Sequence, residues 1–188
     1  MIKIYYLDIT NKQNIDLDKV PDNARDFVRI YKEEKSRNLS GYAWMFLKDI
    51  LNSDFGIDLE KKMISYNKYG KPYIDGMYFN ISHSNNMIAI AISDNEVGID
   101  IEAESNFIRQ LDSKYFSKWL SENELIEFNL ANDKLHFLAK TWTKKEAILK
   151  FKGIGIQNYK ELKNIDGNTD AYEIEDEKKE KYVISVSY

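Results

Sequence analysis

Val97-Gly-Ile-Asp-Ile-Glu102 alternates apolar and acidic residues in a segment that predicts a β-strand. Side chains of a strand alternate between its two faces, so Asp100 and Glu102 share one face while Ile99 and Ile101 share the other. Two strand rises separate the acidic Cα atoms by about 6.6 Å, which lets both carboxylates converge on one hard cation. A strand with one buried face and one solvated acidic face is the commoner origin of this pattern. The pair alone leaves both interpretations open.

A long amphipathic helix is predicted further along, at about residues 133–152. Its apolar residues recur at three- and four-residue steps: Leu135, Leu138, Ala139, Trp142 and Leu149. Glu146 falls on this apolar stripe, where a carboxylate is costly unless it pairs or binds a cation, and Lys150 follows one turn later. An ordinary ion pair between Glu146 and Lys150 remains an alternative. A capping box in Thr143-Lys-Lys-Glu146 is a second alternative, which the unbroken stripe disfavours.

Composition narrows the function classes that the chain can serve. Its 188 residues are enough for a sizeable core, and a net charge of −4 argues against a general nucleic-acid-binding protein. The absence of cysteine excludes a disulfide framework, a thiol nucleophile and a cysteine metal site. No apolar run approaches membrane-spanning length, and residues 1–8 predict a strand rather than a signal peptide. We therefore expect a cytoplasmic protein that binds neither nucleic acid nor a membrane.

Predicted strands and helices occur in a similar order on each side of about residue 95. The predicted strands cover residues 2–8, 63–66, 78–82, 87–93, 97–102, 170–175 and 181–188. The predicted helices cover residues 23–52, with a break near Ser40-Gly41, and residues 107–116, 121–130 and 133–152. Asp94-Asn95 is short enough to connect strands 87–93 and 97–102 as a tight hairpin. Residues 176–180 are the predicted turn of a second hairpin.

These motifs resemble those of the 4′-phosphopantetheinyl transferases, in particular the surfactin-synthetase-activating (Sfp-like) branch. The hallmarks of that branch are a Gly-Ile-Asp-Ile-Glu segment and, about forty residues downstream, a Trp-x-x-Lys-Glu-x-x-x-Lys helix. Residues 98–102 and 142–150 match them in this chain. Asn80-Ile-Ser-His-Ser84 and Gly70-Lys-Pro72 match further elements. The resemblance covers nearly the whole chain except its last thirty residues or so.

The resemblance implies both a fold and a reaction. The fold is α+β, with two similar α/β halves at residues 1–95 and 96–188 that form an internal pseudo-dimer, and hence a monomer with its substrate between the halves. In the implied reaction, a serine hydroxyl of an apo acyl or peptidyl carrier protein attacks the β-phosphate of coenzyme A. Holo carrier protein and adenosine 3′,5′-bisphosphate are the products. The carrier would serve lysine, fatty-acid, polyketide or nonribosomal-peptide biosynthesis.

The resemblance also assigns roles to the acidic residues and to one lysine. Asp100, Glu102 and Glu146 are implied to hold Mg²⁺ against the pyrophosphate of coenzyme A, and Mn²⁺ is an alternative because both ions prefer oxygen ligands. Lys150 is implied to contact the phosphates and to stabilise or protonate the leaving oxygen. Three candidates remain for the base: Glu146, a water molecule on the metal, and Glu124. Glu124 also fits the simpler role of a favourable charge in a first helical turn.

Several other residues are candidates for binding coenzyme A. Arg25, Arg29 and Lys32 are spaced to share one helical face, which suits a polyphosphate but also an ordinary solvated helix side. The resemblance implies that Arg25 contacts a phosphate and that Arg37 lies in the same region. It also implies nucleotide contacts from Ser82, His83, Lys71 and Pro72. His136 matches no family position, and we expect it on a helix surface.

Two other functions remain open at this point. A Mg²⁺-dependent nucleotide phosphodiesterase or pyrophosphatase would use the same three acids without a protein acceptor. A non-catalytic module that binds coenzyme A or a carrier protein would keep basic residues but would not need Asp100, Glu102, Glu146 and Lys150 together. The presence of all four favours the transferase.

Overall fold

Two three-stranded antiparallel sheets and two long helices make up most of the fold, which the computed structural model describes for residues 1–154 and 161–188. The strands are β1 (Ile2–Asp8), β2 (Ile64–Tyr66), β3 (Pro72–Ile74), β4 (Tyr78–Ser84), β5 (Met87–Ser93), β6 (Gly98–Ala103), β7 (Thr169–Glu175) and β8 (Lys181–Ser187). The α-helices are α1 (Arg25–Arg29), α2 (Glu34–Phe55), α3 (Ile108–Ser113), α4 (Glu122–Leu130) and α5 (Lys134–Phe151). The predicted α+β class is confirmed.

The two sheets share one strand order. The first sheet has the order β1-β5-β4, and the second sheet has the order β6-β8-β7. In each sheet the last strand in the chain lies at the centre, antiparallel to both neighbours. Each sheet also has one long helix between its first strand and the other two: α2 in the first half and α5 in the second. The short β2-β3 ribbon is an addition of the first half.

The predicted hairpin across Asp94-Asn95 is wrong. β5 pairs with β1 and β4, while β6 pairs with β8, so residues 94–97 carry the chain from one sheet to the other. The tight turn lies instead at Asn85-Asn86, between β4 and β5, where Asn85 has a φ of 49°. Alternating side chains predict a strand and its faces but do not specify its partner, which is why the sequence suggested the wrong pairing.

The sheets pack face to face, and each long helix covers an outer face. The inner layer is one apolar cluster of side chains from β5, from residues 97–103 and from β8: Met87, Ala89, Ala91, Val97, Ile99, Ile101, Ala103, Tyr182, Ile184 and Val186. On the other side of the first sheet, Ile88, Ile90 and Ile92 pack with α2. α5 contacts β6 and β8 of the second sheet. Asp100 and Glu102 alternate with the inner Ile99 and Ile101, so they belong to the face of β6 that α5 covers.

The early helical region is broken, but not where the sequence predicted. Residues 30–33 separate α1 from α2, and Ser40-Gly41 lies inside α2 without interrupting it. Gly41 is buried, and a Cβ at this position would lie 2.5 Å from Cγ1 of Ile15. The glycine therefore serves close packing against the preceding loop. Such a glycine has the same sequence signature as a helix break.

Gly98 allows β6 to approach α5 closely. A Cβ at Gly98 would lie 2.1 Å from the carbonyl oxygen of Ala147 and 2.3 Å from the backbone N of Phe151. Backbone atoms cannot rotate away as a side chain can, so any larger residue would push the strand off the helix. The contact brings the start of β6, two residues before Asp100, against the last turns of α5.

The later predicted elements are confirmed with small shifts in their bounds. The helix predicted at residues 133–152 is α5, capped at its start by Asp133, whose side chain accepts from the N–H of His136. The predicted second hairpin is formed by β7 and β8. In the part of the chain that the structure describes, no helix is both long enough and apolar enough to span a membrane.

Candidate active site

Asp100 lies at the centre of a charged cluster between β6 and α5. Its side chain is buried, and Oδ1 accepts hydrogen bonds from Nζ of Lys150 and Oγ of Ser82, both at 2.7 Å. Nζ of Lys150 also donates to Ser82 Oγ at 2.8 Å. The other carboxylate oxygen, Oδ2, is buried without a hydrogen-bond partner among the described residues. Buried carboxylate oxygens are normally satisfied, so this one indicates a site for a further donor or cation.

Glu102 is held by two side chains on one of its oxygens. Oε2 accepts from Oγ of Ser84 at 2.7 Å and from Nδ2 of Asn106 at 2.8 Å. Burial raises the pKa of Glu102, and the negative charge of Asp100 raises it further, although the two hydrogen bonds and Lys150 oppose the shift.

Glu146 extends the cluster from the α5 side. Burial raises its pKa to about 7, and the charge of Asp100 is the next largest cause. Lys150 opposes this shift, whereas Glu102 adds to it. Glu146 forms no ion pair within the described residues, because Lys150 binds Asp100 instead. The alternative of an ordinary Glu146–Lys150 ion pair is therefore wrong.

The alternative of a capping box that begins at Thr143 is also wrong. Thr143 lies in the interior of α5 and is fully buried. Its hydroxyl contacts Oγ of Ser185 at 2.8 Å on β8 and the carbonyl of Lys140 at 3.1 Å. The helix therefore runs through this motif, and Glu146 is not a capping residue.

The three carboxylates form a donor set suited to a hard divalent cation, but they are not yet arranged as ligands. Within residues 1–154 and 161–188, no three His, Cys, Asp or Glu side chains are grouped closely enough to hold a metal ion. Lys150 provides the positive charge beside Asp100 in this conformation. The fit to a divalent cation rests on the unpartnered Oδ2 of Asp100 and on the charge coupling among the three acids.

Side chains of β4 join the two sheets along the edge of β6. Three β4 side chains at alternating positions accept hydrogen bonds from three N–H groups of β6: Asn80 from Ile99 at 2.8 Å, Ser82 from Ile101 at 3.4 Å and Ser84 from Ala103 at 3.1 Å. We call this arrangement the β4–β6 seam. It satisfies edge N–H groups that would otherwise be buried without partners, and it places Ser82 and Ser84 beside the two acids.

Two adjoining clefts open near this cluster and share Pro72 and Asn80. One has a volume of about 220 Å³ and is bordered by Lys150 and by residues 69–72. The other has a volume of about 190 Å³ and is bordered by His83 and by aromatic residues of α1 and α2, including Trp44. The predicted residue Pro72 borders both clefts, whereas His83 borders one and Lys150 the other.

Three residues were predicted to contact coenzyme A in this region: Lys71, Ser82 and His83. The first two have hydrogen-bond partners within the protein, and the third has a shifted pKa. Nζ of Lys71 donates to Glu96 Oε2 at 2.7 Å and to the carbonyl of Val97 at 2.8 Å. Ser82 donates to Asp100, as described above. Burial lowers the pKa of His83, and the positive charge of Lys150 lowers it further, so its imidazole is neutral at physiological pH.

The predicted basic stripe is wrong, because α1 ends at Arg29 and Lys32 lies outside any helix. Arg29 pairs with Asp26 at 3.5 Å. The guanidinium of Arg25 donates to the carbonyls of Leu17, Asp18 and Val20 and pairs with Asp22 at 2.8 Å. These contacts hold the loop before α1 and leave Arg25 little capacity for a phosphate.

Arg37 differs from Arg25 in its surroundings. Its guanidinium has neither a hydrogen bond nor an ion pair to any residue in the described ranges. Arg37 precedes Ser40 and Trp44 by three and seven positions on α2, so it lies on the same helix face. Ser40 and Trp44 border the cleft that contains His83. Arg37 is therefore a cation one turn from that cleft.

Glu124 has a structural role in this conformation. It forms a capping box with Ser121 at the start of α4, and its Oε2 pairs with Nζ of Lys145 at 2.9 Å. Lys145 is buried and also donates to the carbonyl of Leu162. The simpler role, a favourable charge in a first helical turn, describes Glu124 better than the role of a base.

His136 is more buried than expected for a helix-surface residue. Its side chain is 25% exposed, and Nδ1 lies 2.8 Å from Oε1 of Glu104. Nε2 lies 3.5 Å from Oε1 of Glu173 on β7. The histidine therefore links α5 to two neighbouring segments.

Four residues of the site were missed by sequence reasoning: Asn80, Ser84, Asn106 and Lys145. Lys145 is the first lysine of the Trp-x-x-Lys-Glu motif, so the motif itself was a signal for it. Asn80 and Ser84 were quoted in a motif, but their polar alternation with Ser82 along β4 was not used. Asn106 had no local signal, because its role depends on a turn that brings it back to Glu102.

Comparisons with known proteins relate this chain to one family. The family described as the 4′-phosphopantetheinyl transferase superfamily matches residues 96–186. The chain is 33% identical over 138 residues to 4′-phosphopantetheinyl transferase Gsp of Aneurinibacillus migulanus, which covers 72% of this chain and 56% of that protein. It is 26% identical over 140 residues to 4′-phosphopantetheinyl transferase Sfp of Bacillus subtilis, covering 72% of this chain and 61% of that protein.

A third relative aligns over a shorter segment. The chain is 38% identical over 95 residues to 4′-phosphopantetheinyl transferase AcpT of Salmonella typhimurium, covering 47% of this chain and 48% of that protein. The matches span only about half to three fifths of the length of these curated relatives. The predicted resemblance to the family, including Sfp-like members, is confirmed.

Proposed function

We propose that this chain, whose residues 96–186 belong to the 4′-phosphopantetheinyl transferase superfamily, transfers the 4′-phosphopantetheine group of coenzyme A to a serine of an apo acyl or peptidyl carrier protein. One observation carries the proposal beyond the family relationship. Asp100, Glu102, Glu146 and Lys150 converge between β6 and α5, beside a cleft that Lys150 borders. This arrangement provides the charges that phosphoryl transfer requires.

The three acids would hold a divalent cation, Mg²⁺ or Mn²⁺, at the second sheet. When bound, such an ion neutralises the pyrophosphate of coenzyme A and polarises the phosphorus that the serine attacks. The carboxylates supply oxygen ligands on rigid elements, two from a strand and one from a helix. Burial raises the pKa values of Glu102 and Glu146, and repulsion from Asp100 raises them further; a divalent cation would offset both effects.

Lys150 would exchange partners during the reaction. Its ammonium neutralises Asp100 in this conformation, at 2.7 Å. Because Lys150 also borders the adjoining cleft, its ammonium would turn from Asp100 toward an anionic phosphate there when Asp100 holds a divalent cation. There it would stabilise the charge on the leaving oxygen of adenosine 3′,5′-bisphosphate.

A base must accept the proton of the carrier serine. Glu146 is the protein side chain that we favour, because its largely buried carboxylate belongs to the same cluster as Asp100 and Lys150. Glu124 is disfavoured, since its carboxylate already caps α4 and pairs with the buried Lys145. The serine proton would thus pass to the carboxylate cluster rather than to α4.

Coenzyme A would occupy the two clefts that share Pro72 and Asn80. His83 and Pro72 border one of them, and Arg37 lies one helical turn from its edge. Among the predicted phosphate contacts, Arg37 is favoured over Arg25, whose guanidinium is bound to carbonyls and to Asp22. Ser82 and Lys71 would need to exchange their present partners before they could bind a phosphate.

The two halves of the chain would act as one enzyme. Residues 1–95 would supply most of the coenzyme A contacts, and residues 96–188 would supply the acids and Lys150. The shared strand order of the two sheets supports an internal pseudo-dimer, which predicts a monomer in solution. We place the reaction in the cytoplasm, in keeping with the sequence prediction.

The proposal is tested by incubating the protein with coenzyme A, Mg²⁺ and several purified apo carrier proteins. Intact carriers are then weighed by mass spectrometry. We expect a phosphopantetheine-sized gain on the carrier serine that EDTA abolishes. If coenzyme A is hydrolysed and no carrier gains mass, the phosphodiesterase or pyrophosphatase is the better account. If coenzyme A only binds, the protein is a binding module.

A further inference from the structure

The hydroxyl of Ser84, at the end of β4, has three hydrogen-bond partners around one oxygen. It accepts from the N–H of Ala103 at 3.1 Å and from Nδ2 of Asn106 at 2.9 Å, and it lies 2.7 Å from Oε2 of Glu102. A serine hydroxyl has one proton and two lone pairs. Because donors take both lone pairs, its single proton must point to Glu102.

Asn106 completes the arrangement from the turn Glu104–Phe107. Its Nδ2 donates to Ser84 Oγ at 2.9 Å and to Glu102 Oε2 at 2.8 Å. This nitrogen carries two protons, so it can make both contacts at once. The carboxylate oxygen, the hydroxyl and the amide therefore form a closed triangle of hydrogen bonds.

The triangle fixes one oxygen of Glu102 and leaves the other available. Two donors on Oε2 set the orientation of the carboxylate group, and no residue in the described ranges donates to Oε1. Ser84 is 5% exposed, so water competes weakly for its hydroxyl. We infer that Ser84 and Asn106 are positioning residues that hold Glu102 with Oε1 ready for a divalent cation. This inference rests on the proposed function and deepens it.

The β4–β6 seam provides a comparison within the same strand. Asn80 and Ser84 each accept an N–H of β6, so both contribute to joining the sheets. Ser84 also donates to a carboxylate, whereas the Asn80 side chain makes no hydrogen bond besides the seam bond within residues 1–154 and 161–188. Truncating Asn80 therefore reports the cost of losing a seam bond without disturbing an acid. Asn106 offers the converse, because it is exposed and takes no part in the seam.

The test measures binding of Mn²⁺ alone to the full chain, without coenzyme A or carrier protein. Free Mn²⁺ is followed by its electron paramagnetic resonance signal for the unsubstituted protein, Ser84→Ala, Asn106→Ala, Asn80→Ala and Ser84→Thr. Removing a partner that orients a metal ligand typically costs 10- to 100-fold in affinity. We expect about tenfold weaker Mn²⁺ binding in Ser84→Ala and Asn106→Ala, and recovery in Ser84→Thr, which restores the hydroxyl. We expect Asn80→Ala to lower thermal stability without changing Mn²⁺ affinity.

Each contrary outcome has a distinct meaning. Unchanged Mn²⁺ affinity in both Ser84→Ala and Asn106→Ala overturns the positioning role and leaves the proposed function intact. Equal weakening in Asn80→Ala also overturns it, since the seam rather than the triangle would then matter. If the unsubstituted protein binds no Mn²⁺, the positioning role fails together with the metal site. If Mn²⁺ binding follows the expected pattern but no carrier gains mass, the transferase proposal fails and the positioning role stands.

Discussion

The two long helices cover the outer faces of two sheets with the same strand order, yet they carry opposite chemistry. α2 presents a continuous apolar face to the first sheet: Leu39, Ala43, Trp44, Leu47, Ile50 and Leu51. α5 presents Thr143, Glu146 and Lys150 toward the second sheet, where Asp100 binds Lys150. We call α2 with the first sheet the apolar helix–sheet pair, because a hydrophobic core joins them. We call α5 with the second sheet the charged helix–sheet pair, because it contains the charged cluster.

The edge strands show the same contrast. β1 and β6 occupy equivalent places in the two sheets. β1 contributes Tyr5 and Leu7 to the apolar cluster around α2, whereas β6 places Asp100 and Glu102 on its helix-facing side. Burying three acids near one lysine destabilises the second pair unless a cation compensates. The difference teaches that one strand order supports either an apolar core or a charged cluster, depending on the side chains that its edge strand and its helix provide.

The largest expected effect follows from replacing Glu146 in the charged helix–sheet pair. We expect Glu146→Gln to reduce transfer to a carrier protein about 1000-fold, near 4 kcal/mol, because a carboxylate that stabilises charge in the transition state is lost. The rate is measured from the carrier mass as a function of time. The matched control is Glu127→Gln on α4, an exposed acid outside the cluster, which should keep its rate. A Glu146→Gln rate within a few fold of the control would place the chemistry elsewhere.

The next largest effect follows from truncating Leu47, a fully buried residue of the apolar helix–sheet pair. We expect Leu47→Ala to lower the free energy of unfolding by about 3 kcal/mol, because it removes buried methyl groups and leaves a cavity. The folded fraction should retain its kcat/KM. Urea denaturation measures the free energy of unfolding. Initial rates measured below the unfolding transition give kcat/KM. A large loss of kcat/KM in fully folded protein would show that the first half also controls the chemistry.

The pH dependence of stability sharpens the comparison, because Glu146 contributes a titration that the apolar face of α2 has no side chain to provide. The pKa of Glu146 is raised from 4.5 to about 7 in the folded protein. Between these values the folded state keeps a proton that the unfolded state releases, so its contribution to stability falls as pH rises. Above about pH 7 the whole cost is present, and below about pH 4.5 it is absent.

Glu146→Gln should remove this cost. In EDTA at pH 8 we expect the variant to be more stable than the unsubstituted protein by about 2 kcal/mol, allowing for partial exposure of the side chain. The difference should vanish near pH 4.5. Urea denaturation of both proteins at several pH values provides the measurement. Equal stability at pH 8 would mean that Glu146 is not held in an unfavourable charged state.

The smallest expected effect separates the two arginines of the first half. We expect Arg37→Met to raise the KM for coenzyme A about tenfold, near 1.4 kcal/mol, because an available cation beside the cleft is lost. Arg25→Met should lower stability by about 1 kcal/mol through lost hydrogen bonds, with KM nearly unchanged. Steady-state kinetics with coenzyme A as the varied substrate decide between them. The opposite ranking would mean that Arg25 leaves its carbonyl partners when coenzyme A binds.

Local patterns predicted much of the fold and the centre of the site. Alternation placed Asp100 and Glu102 on one face of β6, and helical periodicity placed Glu146 and Lys150 on the inner side of α5. Strand partners were not predictable, because alternation describes a face rather than a neighbour. The break in the first helical region was also misplaced, since Gly41 is required by a contact with Ile15 that only the folded chain reveals.

The partners within the site depend on tertiary contacts and were the least predictable. Lys150 binds Asp100, fifty positions earlier in the chain, rather than Glu146 one helical turn away. Arg25 was expected to meet a phosphate but binds carbonyls of its own loop. Both outcomes follow from which acceptors the fold brings within reach, and spacing along one helix does not report these.

The central claim is that the charged cluster transfers phosphopantetheine to a protein acceptor. Counting the two products of one reaction tests this claim most directly. Adenosine 3′,5′-bisphosphate is measured by chromatography, and carrier mass is measured in the same reactions, with an apo carrier, without a carrier, and with a carrier whose acceptor serine is replaced by alanine. We predict one adenosine 3′,5′-bisphosphate for each modified carrier and none in the other two reactions. Nucleotide release that continues without an acceptor serine would contradict the account and indicate hydrolysis.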